Sequence, residues 1–167
     1  MVNSAKTPFP HLDSPAVTFL QTAGIPFRLF EHTSEIHSLE EAAQQRGQNP
    51  EQVIRSLLFR LPNHSFLMIL VSGPGQIDWR SLRQLLGYSR MTLATSEEVF
   101  TMTGCKPGTV SPFGLPSEIP ILMDHDILKL TEVSFGSCRR GFAILITVDN
   151  LINALSFSKT ISLTKSK

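Results

Sequence analysis

At 167 residues the chain is long enough for one domain with a single substantial core. Its composition, 41% hydrophobic and 17% charged, is that of an ordinary globular protein, and a net charge of +1 argues against long duplex nucleic acid, whose many phosphates need neutralising. DNA is therefore not expected as a partner, whereas a few phosphates at one end of an RNA stay within reach.

Two cysteines, Cys105 and Cys138, are too few for a disulfide framework and are expected to be inert small residues in a reducing compartment. The opening "MVNSAKTPFPHLDSP" has no signal-peptide core, and no window approaches the roughly 18 apolar residues of a membrane span. A cytoplasmic location is expected.

In chain order, residues 1–13 read as an arm. Ser14 caps a short helix with Pro15 at its first position and Gly24 after its end. "FRLFEH" is a strand. "SLEEAAQQRG" carries a capping box from Ser38 to Glu41 and a terminating Gly47, and "NPEQV" restarts a helical turn. "VIRSLLFRL" is a strand with Val53, Arg55, Leu57 and Phe59 on one face, and "FLMILVS" is its hairpin partner. Asp78 caps a helix with an apolar stripe at Trp79, Leu82, Leu85 and Leu86. "RMTLA" is a strand and "SEEVFTMTG" a capped helix. After a glycine- and proline-rich loop come strands "ILMD", "EVSF" and "FAILIT" and a closing helix, "VDNLINAL". Short helices interleaved with about six strands predict a mixed α/β domain over residues 14–155, followed by a tail over 156–167. The pattern leaves strand order open.

Two loops carry the chemistry that composition can suggest. In "GTVSPFG", Gly108 and Gly114 bracket Pro112, so a tight turn can aim backbone amides at a carbonyl or oxyanion; the same composition serves an ordinary structural turn. "GSCRRG", residues 136–141, can hold a phosphate between amides and arginines or be a plain polar hairpin. His32, His37 and the run Asp124-His125-Asp126 lack the spacing of a zinc site, so no metal or other cofactor is expected. Neither cysteine has an evident base beside it, although Arg139 and Arg140 can lower the thiol pKa of Cys138. No catalytic triad, P-loop or dinucleotide fingerprint is present. Arg55 is left with water, a carboxylate or a ligand phosphate as its possible partner.

Taken in order, "FEHTSEIHSLEEAAQQRG", "NPEQVIRSLLF", "GTVSPFG" and "VSFGSCRRG" resemble the YbaK-type aminoacyl-tRNA deacylases, which include the editing domain of bacterial prolyl-tRNA synthetases. The similarity runs from about Ser14 to Leu155. It implies a mixed, partly barrel-like sheet surrounded by helices. The implied activity is hydrolysis, in trans, of the ester of mischarged tRNA, with the tRNA acceptor end and an aminoacyl-tRNA synthetase as partners. By position, the family's functional lysine becomes Arg55, and its G-x-x-x-P glycine becomes Gly108, with Thr109, Ser111 and Pro112 in the same loop. The substrate-side loop becomes Gly136, Ser137 and Arg139. The pocket tyrosine ahead of Glu31-His32 becomes Phe30, with His32 also on the substrate side, and an acidic residue of some members becomes Ala143. Both departures predict an apolar amino-acid pocket. Because arginine does not deprotonate in a protein, Arg55 is excluded as a base and predicted as a phosphate anchor, with water activated through the substrate's own ribose 2′-hydroxyl. The other possibility is a module that binds aminoacylated tRNA ends or a synthetase without turnover.

Overall fold

Short side-chain caps set the helix boundaries in the computed structural model, which describes residues 12–155, 159–163 and 165–166. All but the last two residues of the arm expected over 1–13 lie outside the described residues. Helix α1 (Pro15–Thr22) starts at Ser14, whose hydroxyl accepts from the Val17 amide. Helix α2 (Leu39–Arg46) starts at Ser38, which accepts from the Glu41 amide, and ends at Gly47 in the left-handed region, φ 67°. The reciprocal arm of that box is shifted by one residue, because Glu41 accepts from the His37 amide. A 3-10 turn, Pro50–Gln52, follows.

Strand β1 (Arg28–Glu31) lies at one edge of a three-stranded antiparallel sheet, with β8 (Phe142–Thr147) at its centre and β7 (Glu132–Gly136) at the other edge. Strands β2 (Ile54–Arg60) and β3 (Phe66–Ser72) form the predicted antiparallel hairpin, with Arg55 opposite Val71. A five-stranded mixed sheet grows from that hairpin, in which β6 (Ile121–Asp124) is parallel to β3. β9 (Lys159–Ile161) is parallel to β6, and β5 (Thr92–Leu93) is antiparallel to β2. β10 (Lys165–Ser166) pairs with the short β4 (Gln76–Ile77), so residues read as tail contribute two strands. A parallel bridge between Val53 and Ser134 joins the two larger sheets, giving the curled, partly barrel-like arrangement that the resemblance implies.

Burial explains this closure. The main core lies between the sheets and takes Ile54, Leu58, Met68 and Leu70 from one, and Leu29, Val133, Phe135 and Ile144 from the other. Helix α1 and α5 (Val148–Ala154) cap it with Val17, Leu20 and Leu151. A second cluster, containing Phe59, Ile69 and Val71, fills the outer face of the five-stranded sheet under α3 (Trp79–Leu86). The α3 stripe is only partly buried: Leu82 is enclosed, whereas Leu85 is 67% exposed. Helix α4 (Ser96–Thr103) carries a complete capping box between Thr95 and Glu98.

The expectation of two unpaired cysteines is corrected. Cys105 and Cys138 form a disulfide, with Cα atoms 4.9 Å apart and a sequence separation of 33. The contact is created by tertiary packing. The Cys138 amide donates to the Thr109 carbonyl, 2.8 Å, and a Cβ at Gly136 would lie 2.6 Å from the carbonyl oxygens of Thr109 and Val110. Only a residue without a side chain lets these two loops meet, and their meeting brings the sulfurs together.

Candidate active site

The three-stranded sheet has a core face and a site face, and strand alternation assigns the residues. Leu29, Ile144 and Phe135 point into the core, so their neighbours Phe30, Ala143 and Gly136, which form one row across the sheet, share the opposite face. That is the face on which the 109–110 backbone lies over Gly136. Here the chain builds two adjoining chambers that have Ile36, Arg46, Gly108 and Gly136 in common.

The larger chamber, about 690 Å³, is bounded by His32, Glu35, Arg139 and Arg140 in addition to the shared residues. The smaller, about 400 Å³, runs along the part of β2 between the Val53 bridge and the β5 pairing. Residues of both strand faces, Ile54 and Arg55, therefore line it, and Leu39, Ala42, Leu57 and Val110 make most of the remaining wall apolar. Ser56 is on this wall too, and its hydroxyl is buried without a hydrogen-bond partner.

The two proposed functional positions, Arg55 and Gly108, thus share the smaller chamber with Gly136. Gly108 is exposed, with φ 86° and open space where a side chain would project. Arg55 is half-buried. Its Nε donates to the Gly73 carbonyl at 2.8 Å and its Nη2 to the Gly75 carbonyl at 2.6 Å. Burial lowers the Arg55 pKa, and attraction to Asp124 opposes that effect. Asp124 itself is buried and ion-paired with Lys165.

Other predicted residues support the loops more than they line the chambers. Thr109 lines the larger chamber, but its hydroxyl donates back to the Lys106 carbonyl at 2.7 Å. Ser111 and Pro112 are buried, the former accepting from the Phe113 amide. Ser137 is fully buried, donates to the Phe142 carbonyl and accepts from the Arg139 amide, so it shapes the 136–141 turn. Arg139 donates to the Cys138 carbonyl, 2.8 Å, and approaches Asp13 at 4.0 Å. Ala143 is fully buried in the row between Phe30 and Gly136, and neither Phe30 nor Ala143 is on a wall of the two chambers. Phe30 instead packs edge-on against the His32 ring, with centroids 5.2 Å apart.

Arg46 was not singled out from the sequence, where it reads as a cation suited to the negative end of α2. In the fold its guanidinium stands where the chambers meet. Nε and Nη2 lie 3.3 and 3.2 Å from His32 Nε2, and Nη1 donates to Ser134 Oγ at 2.9 Å. Ser134 in turn donates to Gln48. The His32 Nδ1 proton reaches Gln45 at 3.1 Å, which leaves Nε2 as the acceptor for Arg46. Burial pulls the Arg46 pKa down to about 10. His32 is also lowered, first by burial, with Arg46 adding to the effect and the Gln45 bond opposing it. Ser56 was likewise missed; no local pattern marks an unsatisfied strand serine.

Residues 33–154 match the aminoacyl-tRNA editing domain family. The chain is 30% identical over 96 residues to the proline–tRNA ligase of Aquifex aeolicus (strain VF5), covering 58% of this chain and 17% of the ligase. It is 28% identical over 131 residues to that of Geobacillus sp. (strain WCH70), covering 77% and 23%. It therefore spans about a fifth of the length of these ligases. A crystal structure described as a candidate trans-editing enzyme for prolyl tRNA synthetase superposes with a TM-score of 0.81 at 27% identity, covering 91% of this chain and 96% of the other. The chain belongs to the aminoacyl-tRNA editing domain family.

Proposed function

We propose that this protein is a trans-acting deacylase that hydrolyses the ester of mischarged tRNA. The observation carrying this reading is that Arg55, Gly108 and Gly136, which match the functional positions of the family, line one chamber. A single ester must touch all three. The 2′-hydroxyl of the substrate's terminal ribose orients a water, which attacks the ester carbonyl carbon. The amides of the Gly108 loop hold the oxygen as negative charge develops on it. The bond to the ribose oxygen then breaks, that oxygen takes up the water's proton, and free amino acid and tRNA leave. Arg55 is charged throughout and steadies the ester end of the substrate electrostatically, never acting as a base; two of its donors bond the Gly73 and Gly75 carbonyls, so the phosphate expected of it falls to another group. The apolar wall of the smaller chamber suits an uncharged aminoacyl side chain, since a buried unpaired charge there would cost several kcal/mol.

One observation favours a second reading. Two Arg55 donors are already spent on the Gly73 and Gly75 carbonyls, which fits a module that holds aminoacylated ends, or a synthetase, without turnover. Single-turnover deacylation over a panel of mischarged tRNAs separates the two. The proposal expects at least one uncharged aminoacyl-tRNA to be hydrolysed far above the buffer rate. Tight binding across the panel with no hydrolysis would replace the deacylase with the binding module.

A further inference from the structure

We infer that Arg46 binds a backbone phosphate of the RNA end, so that the substrate supplies the counter-charge this residue lacks. The inference rests on the RNA-end reading above and names the group that meets the phosphate.

A guanidinium removed from water needs a carboxylate, a full set of hydrogen bonds or a ligand anion. Among the described residues, no aspartate or glutamate comes within ion-pairing distance of Arg46. Its protein partners are a neutral imidazole nitrogen and a hydroxyl. These fix the plane of the group and leave one N–H on each Nη nitrogen, a pair suited to two oxygens of one phosphate. Arg139, with Asp13 at 4.0 Å, and Arg140 line the same chamber, and Glu35 is the one carboxylate on its wall among the described residues, so cations outnumber anions there.

Arg46 is on the walls of both chambers, beside Gly108 and Gly136, whereas Arg55 borders only the smaller one. A phosphate held by Arg46 therefore lies next to an ester held at the Gly108 loop. In a terminal nucleotide whose ribose carries the ester, the 5′-phosphate is one sugar away, and Arg46 and Gly108 line the same chambers.

The test compares adenosine with adenosine 5′-monophosphate by calorimetric titration of wild type, Arg46→Gln, Arg46→Lys and Arg55→Gln. Wild type should bind the monophosphate tighter by about tenfold or more, the size expected of charge-assisted bonds. Arg46→Gln should lose that preference, Arg46→Lys should keep part of it, and Arg55→Gln should keep it. On an acceptor-stem RNA, Arg46→Gln should also lower the salt-dependence slope by roughly 0.7, one phosphate on a single strand. Circular dichroism confirms folding, and Arg46→Lys carries the comparison if the glutamine variant is unfolded. A preference retained in Arg46→Gln, lost in Arg55→Gln, or absent from wild type overturns the inference. Deacylation measured in parallel keeps the two readings apart. Hydrolysis by wild type with the preference untouched by Arg46 sinks only this inference; a preference that follows Arg46 without hydrolysis sinks only the deacylase.

Discussion

The two arginines at the cleft are both half-buried and both have lowered pKa values, yet they are held in opposite ways. Arg55 spends its donors on two backbone carbonyls of one loop and has the attraction of Asp124. Arg46 rests on neutral side chains and, among the described residues, has no carboxylate within ion-pairing distance. A cation tied to carbonyls stabilises the fold that supplies them. A cation without a counter-charge is kept at a cost, and binding an anion removes that cost. The family position alone points to Arg55, and the hydrogen-bond inventory points to Arg46 as well.

Gly136→Ala breaks both corners at once and should have the largest effect. The added methyl would meet two carbonyl oxygens at 2.6 Å, forcing the Gly108 loop away from β7. We expect deacylation to fall by about a hundredfold or more, as displacements of this kind do. Overpacking should also cost about 1–3 kcal/mol of stability. Single-turnover rates and thermal unfolding check both, and an unchanged rate would mean that the junction of the chambers is not the reaction site.

The disulfide sharpens the comparison because it is on the Arg46 side, tying the segment before Gly108 to the 136–141 turn. Closing about 33 residues is worth roughly 3–4 kcal/mol in the chain-entropy account, so reduction or Cys105→Ser with Cys138→Ser should lower Tm by about 6–15 °C. The preference for adenosine 5′-monophosphate should weaken with it, since Arg139 and Arg140 follow Cys138. Stability conferred by the Arg55–carbonyl bonds should be unaffected. A Tm insensitive to a reducing agent would show that the bond does not form in solution.

Replacing each arginine by methionine should separate stability from binding. Arg55→Met deletes two charge-assisted bonds and leaves two carbonyls short of donors, at about 1.5–3 kcal/mol each at most. Its Tm should fall by several degrees. Arg46→Met removes an uncompensated charge while keeping apolar length, so Tm should hold or rise while affinity for the RNA end falls. The reverse result, a stable Arg55→Met and an unfolding Arg46→Met, would make Arg46 the structural tie.

How much of this was legible in the sequence follows from the range of each interaction. The caps at Ser14, Ser38 and Asp78 and the left-handed Gly47 are set within four residues, and they appear where local chemistry puts them. The β2–β3 hairpin is equally local. The order of the large sheet depends on β6 and β9 joining in parallel, which no periodicity encodes. The disulfide depends on a missing side chain at Gly136 and a bond from Cys138 to Thr109, which is far from both in the chain and meets them only when the loops pack. Arg46 was hidden for a different reason. At a helix C-terminus an arginine is unremarkable, and only the absence of an acid around it, a property of the folded neighbourhood, marks it out.

His32 gives the smallest and most specific effect. Its Nε2 accepts from Arg46 only while the ring is neutral; protonation would turn the acceptor into a donor facing a cation. Burial and Arg46 lower its pKa in the folded protein, so between that lowered value and the ordinary 6.5 the unfolded chain binds the extra proton. Stability from this group is therefore complete above about pH 6.5 and declines as pH falls below it, at no more than about 1.4 kcal/mol per pH unit. Gln45 opposes the shift, and Glu35, Arg139 and Arg140 share the chamber, so the comparison must be made against His32→Gln, which can still accept from Arg46 but does not titrate. Between pH 7 and 5 the wild type should lose more stability than His32→Gln. Parallel pH profiles for the two proteins would break the link between His32 and Arg46 and leave Arg46 held by Ser134 alone.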